Sequence, residues 1–285
     1  MEVLRTNNEM SKWREERYRK GRIVGFVPTM GYLHRGHLAL VEEALRRADE
    51  VVVSIFVNPT QFSPGEDLDQ YPRDWERDLE LCRELGVQAI FAPEVEEMYP
   101  SGFKTRVEVD HLTQNLCGLY RTGHFSGVAL VVTKLFCAIR PHLAVFGEKD
   151  FQQLVVIKRL SKDLNLGVEI VAHPTVREPD GLAMSSRNKY LSEEERSSAL
   201  SLSRSLLAAR TMVAEGERRV SVLLARAKEV IEAEPHTRIQ YIQVVDEETV
   251  TDIDEVTPKA VMAMAVFVGQ ARLIDNMRLW IDEKH

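Results

Sequence analysis

Arg22-Ile-Val-Gly-Phe-Val27, Pro28-Thr-Met-Gly-Tyr-Leu-His-Arg-Gly-His37 and Val51-Val-Val-Ser-Ile-Phe-Val57 are the stretches that decide the fold. The first is an apolar run of strand length, and the segment from Pro28 to Leu33 reads as a loop. After it, Leu38, Val41, Leu45 and Ala48 recur at helical spacing. The third stretch is continuous rather than alternating, as expected of a strand buried on both faces. Strand, helix and strand within residues 22–57 make a βαβ unit, which implies a parallel sheet.

The pattern continues outward. Helices are predicted over Trp75–Leu85, Val128–Arg140 and Asp150–Leu164, and strands over Val87–Ala92, Leu143–Gly147 and Val168–Ala172. Beyond Pro174 the texture changes. Ser192-Glu-Glu-Glu195 is a capping-box pattern opening a helix to Ala214, and a second helix is predicted over Val220–Ala233. Strand-like runs follow at Arg238–Val245, Lys259–Val268 and Ala271–Ile274. The expected organisation is a doubly wound, Rossmann-like α/β domain over residues 1–175 and a smaller α+β lid domain over 176–285.

The 285 residues suit two domains of ordinary size. With 44% hydrophobic and 28% charged residues, disorder is excluded. Asp and Glu outnumber Lys and Arg 44 to 37, the wrong sign for a protein that holds nucleic acid by neutralising phosphates. No segment suits a bilayer span, since Val128–Ile139 is too short and carries Lys134. The charged Met1–Arg22 stretch is no secretory signal. Cys82, Cys117 and Cys137 lack C-x-x-C spacing and read as reduced thiols, which fits a cytoplasmic protein.

In an open parallel sheet, ligands bind beyond the carboxyl ends of the strands. Three polar groups follow predicted strands here. His34-Arg-Gly-His37 places two imidazoles at i and i+3 where a helix begins, a natural seat for a phosphate chain. Surface histidines or a zinc pair are the alternatives for that stretch. Asn58-Pro-Thr-Gln61 offers a neutral amide suited to a carboxylate or hydroxyl, or it is an ordinary polar turn. Gly147-Glu-Lys-Asp150 suits a nucleotide phosphate or ribose. A fourth group, Asp180-Gly-Leu-Ala-Met-Ser-Ser-Arg187, reads as a mobile phosphate clamp or a solvated linker.

Together these segments resemble the pantoate–β-alanine ligase family. The matching stretches are Val27–His37, Val53–Phe62, Tyr71-Pro-Arg73, Gly123-His-Phe-Ser-Gly-Val128, Phe146–Gln153, Asp180–Asn188 and Arg272-Leu-Ile-Asp-Asn276. H-x-G-H alone is shared by the whole nucleotidylyltransferase superfamily; the combination is specific. Thr122 stands where many members have proline.

The resemblance implies joining of (R)-pantoate to β-alanine with ATP converted to AMP and pyrophosphate, Mg²⁺ as cofactor, and a homodimer. It assigns ATP contacts to Met30, Gly31, Tyr32, Leu33, His34, Arg35, Gly36 and His37, with His37 as proton donor. Further ATP contacts are Gly147, Glu148, Lys149 and Asp150, the backbone at Val176, and Met184, Ser185, Ser186 and Arg187. His37, His34, Lys149 and Arg187 are the expected catalytic set. Gln61 and Gln153 are implied to hold pantoate, Gln61 also to lie near β-alanine, and Asp78 to stand near the metal. A carboxylate already ionised at neutral pH needs no general base to attack phosphorus. It needs in-line placement and charge stabilisation, which explains why no Ser-His-Asp set appears. Another H-x-G-H transferase, an aminoacyl-tRNA synthetase or a nucleotide sensor without turnover are the competing readings.

Overall fold

A computed structural model describes residues 1–63 and 65–280. In chain order the elements are β1 (Glu2–Leu4), α1 (Asn7–Arg19), β2 (Val24–Thr29), α2 (Arg35–Arg47), β3 (Glu50–Ile55), α3 (Trp75–Glu84), β4 (Ala89–Phe91), α4 (Val95–Met98), α5 (Cys117–Tyr120) and α6 (His124–Ile139). They continue with β5 (Leu143–Gly147), α7 (Phe151–Asp163), β6 (Glu169–His173), α8 (Glu193–Ala214), α9 (Val220–Glu232), β7 (Thr237–Asp246), β8 (Ala260–Val268) and β9 (Ala271–Arg278). Short 3-10 turns cover Pro59–Gln61, Glu148–Asp150 and Ser186–Tyr190.

The chain divides into two compact units. The first holds Met1–Val109, Arg121–Glu148 and Val156–Pro174; the second holds Asp110–Tyr120, Lys149–Val155 and the chain from Thr175 onward. In the first unit six strands form a sheet in the order β1-β4-β3-β2-β5-β6, and every pair is parallel. From β2 the chain works outward through β3 to β4, then returns to the other side of β2 for β5 and β6. The order therefore reverses at β2, and ligand sites in such sheets gather at that reversal. Val27, Val51, Val53, Ile90 and Val145 are fully buried beneath Val41 and Ala44 of α2, which accounts for the continuous apolar strands.

The second unit is α+β. β7, β8 and β9 form an antiparallel sheet in that order. Leu202, Leu206 and Ala209 of α8 and Leu223, Ala227 and Ile231 of α9 pack with Met262, Met264 and Val266 of β8. The Ser192 cap forms as expected, its side chain accepting from Glu195 N while the Glu195 carboxylate accepts from Ser192 N.

Several boundaries differ from expectation. β2 runs through Pro28 and Thr29, which were expected in a loop; both pair with β3. α6 starts at His124 rather than Val128, because Gly123 adopts φ +81° and lets the chain turn directly into the helix. β9 extends to Arg278 rather than stopping at Ile274, with Asp275 and Asn276 inside it. α1 and β1 have no counterpart among the expected elements. α1 buries only Met10, Trp13 and Arg14, too thin a stripe to stand out against its charge. Its signature is the capping box between Thr6 and Glu9.

Candidate active site

In the first unit, the turn after β2 is held from beneath by Asp78 of α3. Its Oδ2 accepts from Tyr32 N and its Oδ1 from Leu33 N, both at 2.7 Å. Gly31 at φ +82° sits so close that a side chain there would crowd the Asp78 carboxylate. Tyr32 follows at φ +52°. Thr29 Oγ1 donates to Ser54 O and accepts from Gly31 N, tying the turn to β3. Burial raises the Asp78 pKa, opposed by the N–H groups of Leu33 and Tyr32. At 1% exposure, with both oxygens engaged, Asp78 is an anchor for the turn. The carboxylate that the resemblance places near a metal thus holds two backbone N–H groups and also lines the cavity described below.

The histidines are not simply two residues on a helix face. His34 is the N-cap of α2 and His37 its third residue. His34 Nδ1 accepts from Gly36 N at 3.1 Å, and His37 Nδ1 accepts from His34 N at 3.3 Å. The rings lie 4.0 Å apart between centroids. This is a capping box built from imidazoles. Because each Nδ1 accepts, the proton of each neutral ring sits on Nε2, which makes both rings N–H donors at a helix end that carries no acidic residue in its first turn.

Gln61 closes the 3-10 turn after β3. Its Nε2 lies 3.0 Å from Met30 Sδ, and its Oε1 accepts from Asn58 Nδ2 at 3.1 Å. The structure thus brings Gln61 to the turn after β2. Sequence reasoning missed the residues that fix it. Asn58, 1% exposed, bonds Gly127 O through Nδ2 and receives Thr60 Oγ1 and Tyr99 OH on Oδ1. Gly127 is required here, since a Cβ would meet Thr60 O at 2.2 Å. Arg121 donates to His124 Nε2 at 3.0 Å, which leaves the His124 Nδ1 proton to donate to Gln61 O at 2.8 Å. Glu66 holds Arg121 through a fork with both contacts at 2.7 Å. Burial pushes the Glu66 pKa up, but the Arg121 hydrogen bond and charge hold it below the ordinary value. The Asn58 and Gly123–His124 motifs were the available signals.

A cavity of about 240 Å³ opens beyond the ends of β2, β3 and β4, with Met30, Gly31, Tyr32, Val57, Trp75 and Asp78 among its lining residues. At the end of β5, Gly147 pairs with His173 of β6, and a Cβ there would meet only Leu40 Cδ2, at 4.0 Å.

In the second unit, Val176–Met184 forms a small hairpin. Met184 N donates to Val176 O, Glu178 N to Leu182 O, and Gly181 turns the chain at φ +96°. Ser185 caps the 3-10 turn carrying Ser186 and Arg187, its Oγ accepting from Arg187 N at 3.2 Å. Arg196 clamps Glu178 and Asp180 at 2.6 Å each. Lys149 and Gln153 are half-buried in this unit, and Asp150 is exposed. Neighbouring Gln152 is structural, its Nε2 donating to Leu112 O and Asn115 O. Among the described residues no group of three or more His, Cys, Asp or Glu is arranged to hold a metal ion.

A turn of imidazole donors joined to a neutral amide at the reversal of a parallel sheet defines a nucleotide-using α/β enzyme. The comparisons define it further. The model of the pantoate–β-alanine ligase family matches residues 2–278. Pantothenate synthetases of Syntrophus aciditrophicus and Syntrophobacter fumaroxidans are 53% and 54% identical over 276 residues, covering 97% of this chain and 96% and 98% of theirs. The crystal structure of pantothenate synthetase from Thermus thermophilus superposes with a TM-score of 0.93 at 49% identity, over 99% of this chain and 100% of that one. The Francisella tularensis pantoate–β-alanine ligase, solved with β-γ ATP and β-alanine, has a TM-score of 0.81 at 32% identity, over 99% of both chains. The chain belongs to the pantoate–β-alanine ligase family, and it is an enzyme of the ligase class.

Proposed function

We infer that this protein makes pantothenate by ATP-dependent ligation of pantoate to β-alanine through a pantoyl adenylate, with the residues above in defined roles. The observation that carries this assignment is the Gln61–Met30 contact, which joins a carboxylate-binding amide to the turn bearing His34 and His37. A pantoate carboxylate oxygen attacks the α-phosphorus. An O–P bond forms, the α–β bridging bond breaks, and pyrophosphate leaves with the electron pair. The β-alanine amine then attacks the acyl carbon, AMP leaves, and the nitrogen gives up a proton.

His34 and His37 present Nε2–H donors to the phosphates, and His37 stabilises the charge developing as pyrophosphate departs. Gln61 and Gln153 hold pantoate, Gln61 also serving β-alanine. The ATP contacts run through Met30–His37, Gly147–Asp150, Val176 and Met184–Arg187, with Lys149 and Arg187 supplying positive charge. Asp78 shapes the turn. Mg²⁺ belongs to this reading as MgATP, neutralising charge on the phosphates. Such ions keep several waters and lean on substrate oxygens, which suits a chain whose described residues include no cluster of three or more His, Cys, Asp or Glu arranged around an ion.

The sheet reversal at β2 supports the Rossmann-like, H-x-G-H assignment. Nucleotide and pantoate handling before residue 175 and a closing role after it remain part of the proposal, as does a homodimer. A cytoplasmic location is supported by three free cysteines. Small molecules are the proposed partners, not nucleic acid or membrane. Among the described residues no helix is long and apolar enough to cross a membrane. Pantoate labelled with ¹⁸O in its carboxylate tests the route: one label should appear in AMP. Unlabelled AMP would rule out the acyl adenylate.

A further inference from the structure

β9 carries two adjacent polar side chains, Asp275 and Asn276, in a strand whose apolar residues face a core. Asp275 is 3% exposed. Burying a carboxylate inside a sheet face is costly unless it is paired, and replacing such a pair with apolar residues is often neutral or better for stability. Its partner is Arg177, at the base of the Val176–Met184 hairpin. The contact is a two-pronged fork, Nη1 to Oδ2 at 2.7 Å and Nη2 to Oδ1 at 2.9 Å. The same guanidinium donates to Gly181 O at the hairpin tip, so one side chain spans the hairpin from base to turn. A planar fork of this kind fixes direction as well as distance.

The next residue reaches a different segment. Asn276 Nδ2 donates to Lys149 O at 2.9 Å, and Asn276 N donates to Asp275 Oδ1 at 2.8 Å, locking the two side chains to one backbone. Two neighbouring positions of one strand thus fasten the hairpin that presents Ser185, Ser186 and Arg187, and the turn that presents Lys149.

We propose that Asp275 and Asn276 are positioning residues that hold the Arg187 hairpin and the Lys149 turn in one register for adenylation. The proposal rests on the reading of those two segments as nucleotide contacts. Neither residue touches the nucleotide; each acts through the segment it fastens.

The test uses full-length Asp275→Asn and Asn276→Ala. Trypsin cleavage after Arg187 and Lys189 in the ligand-free protein, read by mass spectrometry, reports the hairpin independently of activity. Single-turnover rates report adenylation and, from preformed pantoyl adenylate, amide formation. Asp275→Asn should speed cleavage about tenfold through easier local opening. Both variants should slow adenylation by about 10–100-fold, the scale of a small misplacement, with amide formation within about twofold of normal. Restoring the carboxylate as Asp275→Glu should recover part of the cleavage protection. Unchanged cleavage in Asp275→Asn would overturn the fastening. Faster cleavage with normal adenylation would keep the fastening and overturn the nucleotide reading beneath it. Should Asp275→Asn fail to fold, Asn276→Ala decides, since it removes the hydrogen bond to Lys149 O and leaves the fork; normal adenylation there, or equal loss of both half-reactions, would overturn the proposal.

Discussion

Each of the two histidines accepts a backbone N–H through Nδ1, and that fixes what its other nitrogen can do. A neutral ring so held offers Nε2–H without a change of protonation state, and it is preorganised by the helix it caps. His37→Ala should therefore slow adenylation by about 10²–10³-fold, as when one preorganised donor is removed. Single-turnover rates should show amide formation from preformed adenylate comparatively spared. Gln61→Ala and Gln153→Ala should weaken pantoate binding by about 1–3 kcal/mol while calorimetry finds ATP affinity little changed. Equal damage to both ligands would contradict their assignment. At this scale the sequence was legible where a side chain follows a strand end, as with His37 and Gln61. Asn58 was less so, because its value lies in contacts with Thr60, Tyr99 and Gly127, and two of those partners are distant in sequence. The same holds for Asp78: its hold on the Tyr32 turn depends on α3 packing beneath that turn, more than forty residues away in sequence.

The turn carrying Gln61 depends on how closely α6 approaches it. A Cβ on Gly127 would collide with backbone at Thr60 rather than with a side chain able to swing aside. Gly127→Ala should cost about 1–3 kcal/mol, the range for overpacking, and should raise the KM for pantoate more than that for ATP. The Glu66–Arg121 fork supports the same turn through His124. With its pKa held below the ordinary 4.5, ionised Glu66 contributes stability above that value, and the contribution is lost as pH falls through the lower folded-state value. The melting temperatures of wild type and Glu66→Gln should differ most above about pH 5 and converge in acid. A constant gap would place the Glu66 effect elsewhere. Elements with continuous or periodic apolar patterns, such as β3, β5 and α8, were readable because burial dictates their composition. β9 was half-readable: Asp275 breaks the apolar pattern at Ile274, and the strand continues because Arg177, nearly a hundred residues earlier, neutralises it. α1 has the reverse problem, a helix whose charged faces conceal a narrow buried stripe.

For the molecule as a whole, the parallel sheet and the α+β unit were legible from the alternation of elements, whereas the reversal at β2 is a property of strand order that only the fold displays. What no linear reading supplied is the assignment of Asp110–Tyr120 and Lys149–Val155 to the second unit, since both lie between segments of the first. The reaction assigned to these parts has two separable halves, and nothing in the first half uses an amine. Exchange of labelled pyrophosphate into ATP measures that half alone. With pantoate, ATP and Mg²⁺ present and β-alanine absent, label should enter ATP, and omitting pantoate should abolish it. Exchange that strictly required β-alanine, or that ran without pantoate, would contradict the stepwise adenylate account.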